Sequence, residues 1–109
     1  MKNYLPVITK QYSLKIKTEN IVYIQQQQRR LAIVTDDETF VCYENMDNIM
    51  SCLDQEFYRV MKKLTVNLSK IKAVQEQCLV FEGGQKLYLG KENYVRAKQK
   101  FAAYLRGLI

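Results

Sequence analysis

A chain of 109 residues, 48% apolar and 26% charged, suffices for one soluble domain around a single core and is too short for a second folded unit beside it. Histidine is absent, which removes His-based general-base catalysis, Ser-His and Cys-His nucleophile pairs and the commonest zinc ligand, so no enzyme, metal site or cofactor is expected. Seventeen basic residues against 11 acidic ones leave a net charge of +6, a lean toward polyanionic partners that decides little alone.

Residues 1–11 hold the only proline, Pro6, and no clear period, and read as a leader or linker remnant that could add a strand to a sheet edge. No sustained apolar segment follows Lys2, so the start does not read as a signal peptide; no run is long enough to span a membrane, and a cytoplasmic location is expected. From Tyr12 the chain alternates, with Leu14 and Ile16 opposite Lys15 and Lys17, and Thr18-Glu19-Asn20 turns it into a second, more buried strand at Ile21–Ile24.

Gln25 to Arg30 joins that strand to Leu31–Thr35, most simply as a hairpin with its tip at Gln27 to Arg30, either a solvated end or a binding site. Asp36-Asp37-Glu38 turns the chain into a strand at Thr39–Tyr43; its acidity makes that end a poor place for phosphate. Met46, Ile49, Met50 and Leu53 then fall at helical spacing, with Asn45 placed to cap them; the methionines read as core packing before a binding groove.

Phe57–Val60 and Leu64–Leu68 read as two strands interrupted by Met61-Lys62-Lys63 at a sheet rim. With Arg59, the two lysines make a cationic cluster without an acid in the same run, an arrangement that prefers an anion. Ser69 to Val74 is expected to continue as strand, and Cys78–Phe81 and Gln85–Leu89 to form a hairpin turned at Glu82-Gly83-Gly84. Tyr94, Ala97, Phe101, Leu105 and Leu108 stripe a helix from about Lys91 onward, whose free N–H groups beside Lys91 could hold an anion. Cys42, Cys52 and Cys78 are well separated and read as reduced packing residues; the acids at 36–38 and at Asp54 and Glu56 read as solvated.

Phe57-Tyr58-Arg59-Val60-Met61-Lys62-Lys63-Leu64-Thr65-Val66-Asn67, with Glu19–Ile24, the capped helix after Glu44 and the strand-to-helix passage at Leu89–Tyr94, resembles the LytTR domain. That family is the DNA-binding output module of many bacterial response regulators, and the likeness runs from about Tyr12 to the C-terminus. It implies a mainly β fold, α+β by content: elongated antiparallel sheets with a short central helix and a C-terminal helix. It places the domain at 12–109 and implies loops that enter successive major grooves of duplex DNA. The residues it marks are Arg29 and Arg30 on the first hairpin, Arg59, Lys62 and Lys63 in the central stretch, and Lys91 and Asn93 at the last helix. Where the family commonly carries His and Arg in the central group and Ser-Arg-Arg in the last loop, this chain has Met61-Lys62-Lys63 and Gly90-Lys91-Glu92. Lysines grip phosphate but read bases less sharply than arginine; Glu92 either accepts from a cytosine amine or caps the helix.

The resemblance implies a sequence-specific transcriptional regulator, freestanding or the output domain of a two-component response regulator, binding repeated half-sites as two copies. The alternative is a protein-interaction module of the same fold with weakened DNA binding, whose partner would be a protein regulator.

Overall fold

The computed structural model describes residues 3–109. Where a single core was expected, the chain divides after Asn67 into two compact units. The first contains seven strands: β1 (Tyr4–Ile8), β2 (Ser13–Lys17), β3 (Ile21–Gln27), β4 (Arg30–Thr35), β5 (Thr39–Tyr43), β6 (Phe57–Met61) and β7 (Leu64–Asn67). One helix, α1 (Met46–Ile49), lies between β5 and β6. β1 and β2 form a hairpin, and the other five make a sheet in the order β5-β4-β3-β7-β6; every pairing is antiparallel.

The apolar parity of these strands builds the core. Leu5, Val7 and Ile16 from the hairpin meet Ile21, Ile24, Leu31, Ile33 and Cys42 from the sheet, and Met46 and Ile49 of α1 join the same cluster. The segment expected as a leader or edge strand thus carries β1, whose Leu5 and Val7 are fully buried while Tyr4, Pro6 and Ile8 face out. The helical stripe holds only one α turn before Met50–Cys52 tightens to 3₁₀; Met50 and Leu53 still pack against the core from there. Asn45 caps α1, its Oδ1 accepting from the Asn48 N–H at 3.0 Å.

The second unit consists of β8 (Ile71–Gln75), β9 (Cys78–Phe81) and β10 (Lys86–Tyr88) in a meander, followed by α2 (Lys91–Arg106), which packs on β8. Leu79, Phe81, Leu89, Ala97 and Phe101 are buried, whereas Leu105 and Leu108, expected in the same helical stripe, are exposed. No helix of the described residues is long and apolar enough to cross a membrane.

One local expectation changes. Ser69 and Lys70 do not extend a strand; Leu68–Lys70 is a 3₁₀ turn. Leu68 and Ile71 are both buried three positions apart, which a 3₁₀ turn allows and an alternating strand does not. Thr18–Asn20 does the same between buried Thr18 and Ile21. The β8–β9 hairpin turns through Glu76 and Gln77, both left-handed at φ 54° and 59°, with no glycine to announce it. At the β9–β10 turn only Gly84 takes positive φ.

Candidate nucleic-acid interface

Register brings two hairpin tips to one end of the five-stranded sheet. β3 leads into the two-residue turn Gln28-Arg29, closed by the Gln27–Arg30 pair, with Gln28 at φ 58°. β7 leaves the two-residue turn Lys62-Lys63 and runs antiparallel to β3, with Leu64 opposite Gln25. The Gln26 N–H donates to the Lys63 carbonyl at 2.8 Å, so the two turns are neighbours. Arg29, Lys62 and Lys63 are all exposed there.

Two side chains fasten these turns to the start of α1. Gln26 shares the parity of Ile24 on the core face, where an unpaired amide would be costly. Its Oε1 accepts from the Met46 N–H at 2.8 Å, and its Nε2 lies 3.0 Å from both the Gln28 and Glu44 carbonyls, donating to each. One amide thus joins the first turn, the end of β5 and the helix start. Arg59 performs the corresponding task for the second turn. Its Nη1 pairs with Asp47 Oδ1 at 2.7 Å, and its Nη2 and Nε donate to the Lys62 carbonyl at 2.8 and 3.3 Å. The acid missing from its own run therefore comes from α1. A bulge between Arg59 and Met61 puts Val60 into the interior just before the turn.

Between the turns lies a cleft of about 210 Å³ bordered by Gln28, Asp47, Arg59, Lys62 and Lys63. Arg30 occupies the other side of the first turn, its guanidinium 5.0 Å from the Tyr43 ring centroid and donating to the Tyr43 hydroxyl at 2.9 Å. At the start of α1 the Met46 and Asn48 amides are already used by Gln26 and Asn45, and cationic side chains dominate what this end offers an anion.

The structure thus gathers Arg29, Arg30, Arg59, Lys62 and Lys63 at one end of the first unit. Lys91 and Asn93 belong to the second, in the first turn of α2, where Gly90 supplies no side-chain cap. Asn93 Oδ1 accepts from Arg96 Nη2 at 2.7 Å, and Glu92 is the acid of that turn. Sequence reasoning missed Gln26, Asp47 and Tyr43; the readable signal was Gln26 itself, a polar residue at an apolar parity position. Among the described residues no group of Cys, Asp and Glu is arranged to hold a metal. All three cysteines are free; burial first, then the Glu44 carboxylate, holds the Cys42 thiol above its ordinary pKa.

The first unit is thus an antiparallel β module that displays arginine and lysine from two adjacent hairpin turns. The family model of the LytTr DNA-binding domain matches residues 11–102, and the chain belongs to that family of DNA-binding domains. Among solved structures it is similar to a LytTr DNA-binding domain from Bacillus cereus, with a TM-score of 0.75 and 15% identity over 94% of this chain and 98% of that one, a likeness of fold. No curated protein matches the chain.

Proposed function

We propose that this domain recognises a specific duplex DNA sequence through its turns and regulates transcription, binding as two copies on repeated half-sites. The observation that carries the reading is the Gln26–Lys63 backbone hydrogen bond, which sets the Gln28-Arg29 and Lys62-Lys63 turns side by side. Two adjacent two-residue turns with long cationic side chains are narrow enough to enter a major groove. Arg29 is the base reader, since its planar fork can pair with guanine; Lys62 and Lys63 neutralise phosphates as point charges. Arg59 is a positioning residue, its guanidinium engaged by Asp47 and the Lys62 carbonyl. Lys91 and Asn93 supply a further contact from the α2 unit. The domain serves either as a freestanding regulator or as the output of a response regulator.

The test is selection of duplexes from a random pool, followed by fluorescence anisotropy on the enriched sequence. Arg29→Ala should cost about 1–3 kcal/mol and relax selectivity at one position. Lys62→Ala should weaken all sequences alike and lower the salt slope by about one. A pool without enrichment, and variants indistinguishable from wild type, would reject sequence-specific binding and turn the search to protein partners.

A further inference from the structure

A second concavity lies in the same unit, between the β1–β2 turn and the edge strand β5, with a volume of about 550 Å³. That is within the roughly 300–1,000 Å³ that small-molecule sites occupy. Its lining mixes apolar and aromatic side chains with Thr9, Lys10, Gln11 and Arg30. Of the exposed large apolar and aromatic residues of this unit, Tyr4, Ile8, Tyr12, Val41, Tyr43 and Met61, four line it: Ile8, Tyr12, Val41 and Tyr43. Val41 and Tyr43 alternate with Phe40 and Cys42 along β5, and three successive residues of this edge strand, Val41, Cys42 and Tyr43, border the cavity.

The opposite wall is fixed in place. The Thr9 N–H donates to the Tyr12 carbonyl at 2.8 Å, and Thr9 Oγ1 accepts from the Gln11 and Tyr12 N–H groups at 3.2 and 3.1 Å. This turn is therefore preformed, as a binding wall must be if ordering is not to cost affinity. The charges are one-sided: Lys10 and Arg30 line the cavity and no carboxylate does among the described residues. Arg30 is aimed by its contacts with the Tyr43 ring and hydroxyl.

We propose that this cavity binds a small organic anion with an apolar body, such as an aromatic carboxylate, and that Arg30 is shared between that ligand and DNA. The carboxylate pairs with Arg30 and Lys10 while the apolar body lies against Ile8, Val41 and the tyrosines. Arg30 and Tyr43 also line the depression beside the Gln28-Arg29 turn, so one guanidinium borders both places. A ligand that draws Arg30 into the cavity removes a cation from the DNA-facing end, and the two bind with negative coupling. The sharing, though not the cavity, rests on the DNA-binding reading above.

The experiment is a titration of the 15N-labelled chain with 2-naphthoate and, separately, with the uncharged 2-naphthamide, followed by amide shifts. Naphthoate should saturate shifts confined to residues 8–12, 30 and 41–43, and naphthamide should bind about tenfold or more weakly because a charge-assisted contact is lost. Lys10→Gln and Arg30→Gln should each weaken naphthoate and leave the remaining spectrum in place; Lys10→Gln, which lies outside the DNA-facing turns, should leave DNA affinity unchanged. Equal affinity for the two probes, shifts elsewhere, or concentration-dependent broadening of these residues without ligand, as a second copy would cause, overturns the anion site. In the second arm, saturating naphthoate should lower the DNA affinity of wild type and have no effect on Arg30→Gln. DNA affinity indifferent to naphthoate overturns the sharing. A protein that binds naphthoate but no DNA overturns the functional reading and leaves the cavity established by its own shifts.

Discussion

Arg59 and Asp47 meet at 2.7 Å, although one lies on β6 and the other on α1, and the same guanidinium holds the Lys62 carbonyl. The pair is partly exposed, so its worth to global stability is small. Its consequence is local: the lysine turn is tied at its backbone while both lysine side chains stay free to point outward.

Replacing Asp47 by Asn separates two accounts. Counting charges alone, losing an acid beside the lysine turn should tighten DNA binding. If Asp47 aligns Arg59, affinity for the selected sequence should fall several-fold while affinity for unrelated duplex stays level or rises, measured by anisotropy at one salt concentration. Arg59→Ala should produce the same loss of selectivity, with the Lys62 amide exchanging its hydrogen faster.

Gln26→Leu removes three hydrogen bonds and leaves the Gln28 and Glu44 carbonyls and the Met46 amide without it. Loss of stability of about 1–3 kcal/mol in urea unfolding is expected. Hydrogen exchange should quicken first at the Gln28-Arg29 turn and the start of α1, since the amide joins those places.

Asn67 is 1% exposed and its Nδ2 donates to the Ile21 carbonyl at 2.8 Å, beside the bulge that follows Ile21 in β3. Asn67→Leu keeps the bulk and strands that carbonyl, a cost of about 1–3 kcal/mol. Because the residue is far from the turns along β7, the folded variant should bind the selected DNA as wild type does.

Much of this architecture is legible in the sequence because it depends on neighbours. The parity of Thr39–Tyr43 fixes β5, Asn45 before Met46 caps α1, and paired polar residues at 28–29 and 62–63 interrupt alternating strands at the two turns. What escapes depends on partners distant in the chain or on backbone that side-chain type does not reveal. Gln26 finds its acceptors after β5 closes onto β4, and Arg59 meets an acid twelve residues back only once α1 is placed. Glu76 and Gln77 adopt left-handed backbone that a sequence would ordinarily mark with Asn or Gly. The helical period at Met46–Leu53 is real, but a single α turn followed by 3₁₀ already buries its residues.

The β8–β9 turn gives a stabilising prediction. A non-glycine side chain in left-handed backbone is disfavoured by about 1 kcal/mol, less for Asn. Glu76→Asn should therefore raise stability by about 0.5–1 kcal/mol, read as an upward shift of the urea midpoint at unchanged slope.

Thiol chemistry follows from burial. Cys52 is half-buried while Cys42 and Cys78 are buried, so iodoacetamide should modify Cys52 first in the native protein. Raising the pH toward 9 should leave Cys42 nearly inert, because its folded pKa lies above the unfolded one. The sign is that of a group kept neutral: its contribution is fully present below the unfolded value and fades as pH rises through the folded value.

The salt dependence of DNA affinity bears most directly on the central claim, that the two adjacent turns face the phosphates and bases. Wild type and the double variant Lys62→Ala, Lys63→Ala should be compared on one selected duplex between about 50 and 200 mM salt. The account predicts that the double variant's slope of log affinity against log salt is shallower by about two. An unchanged slope, with the affinity itself intact, would mean that this end of the sheet does not touch DNA.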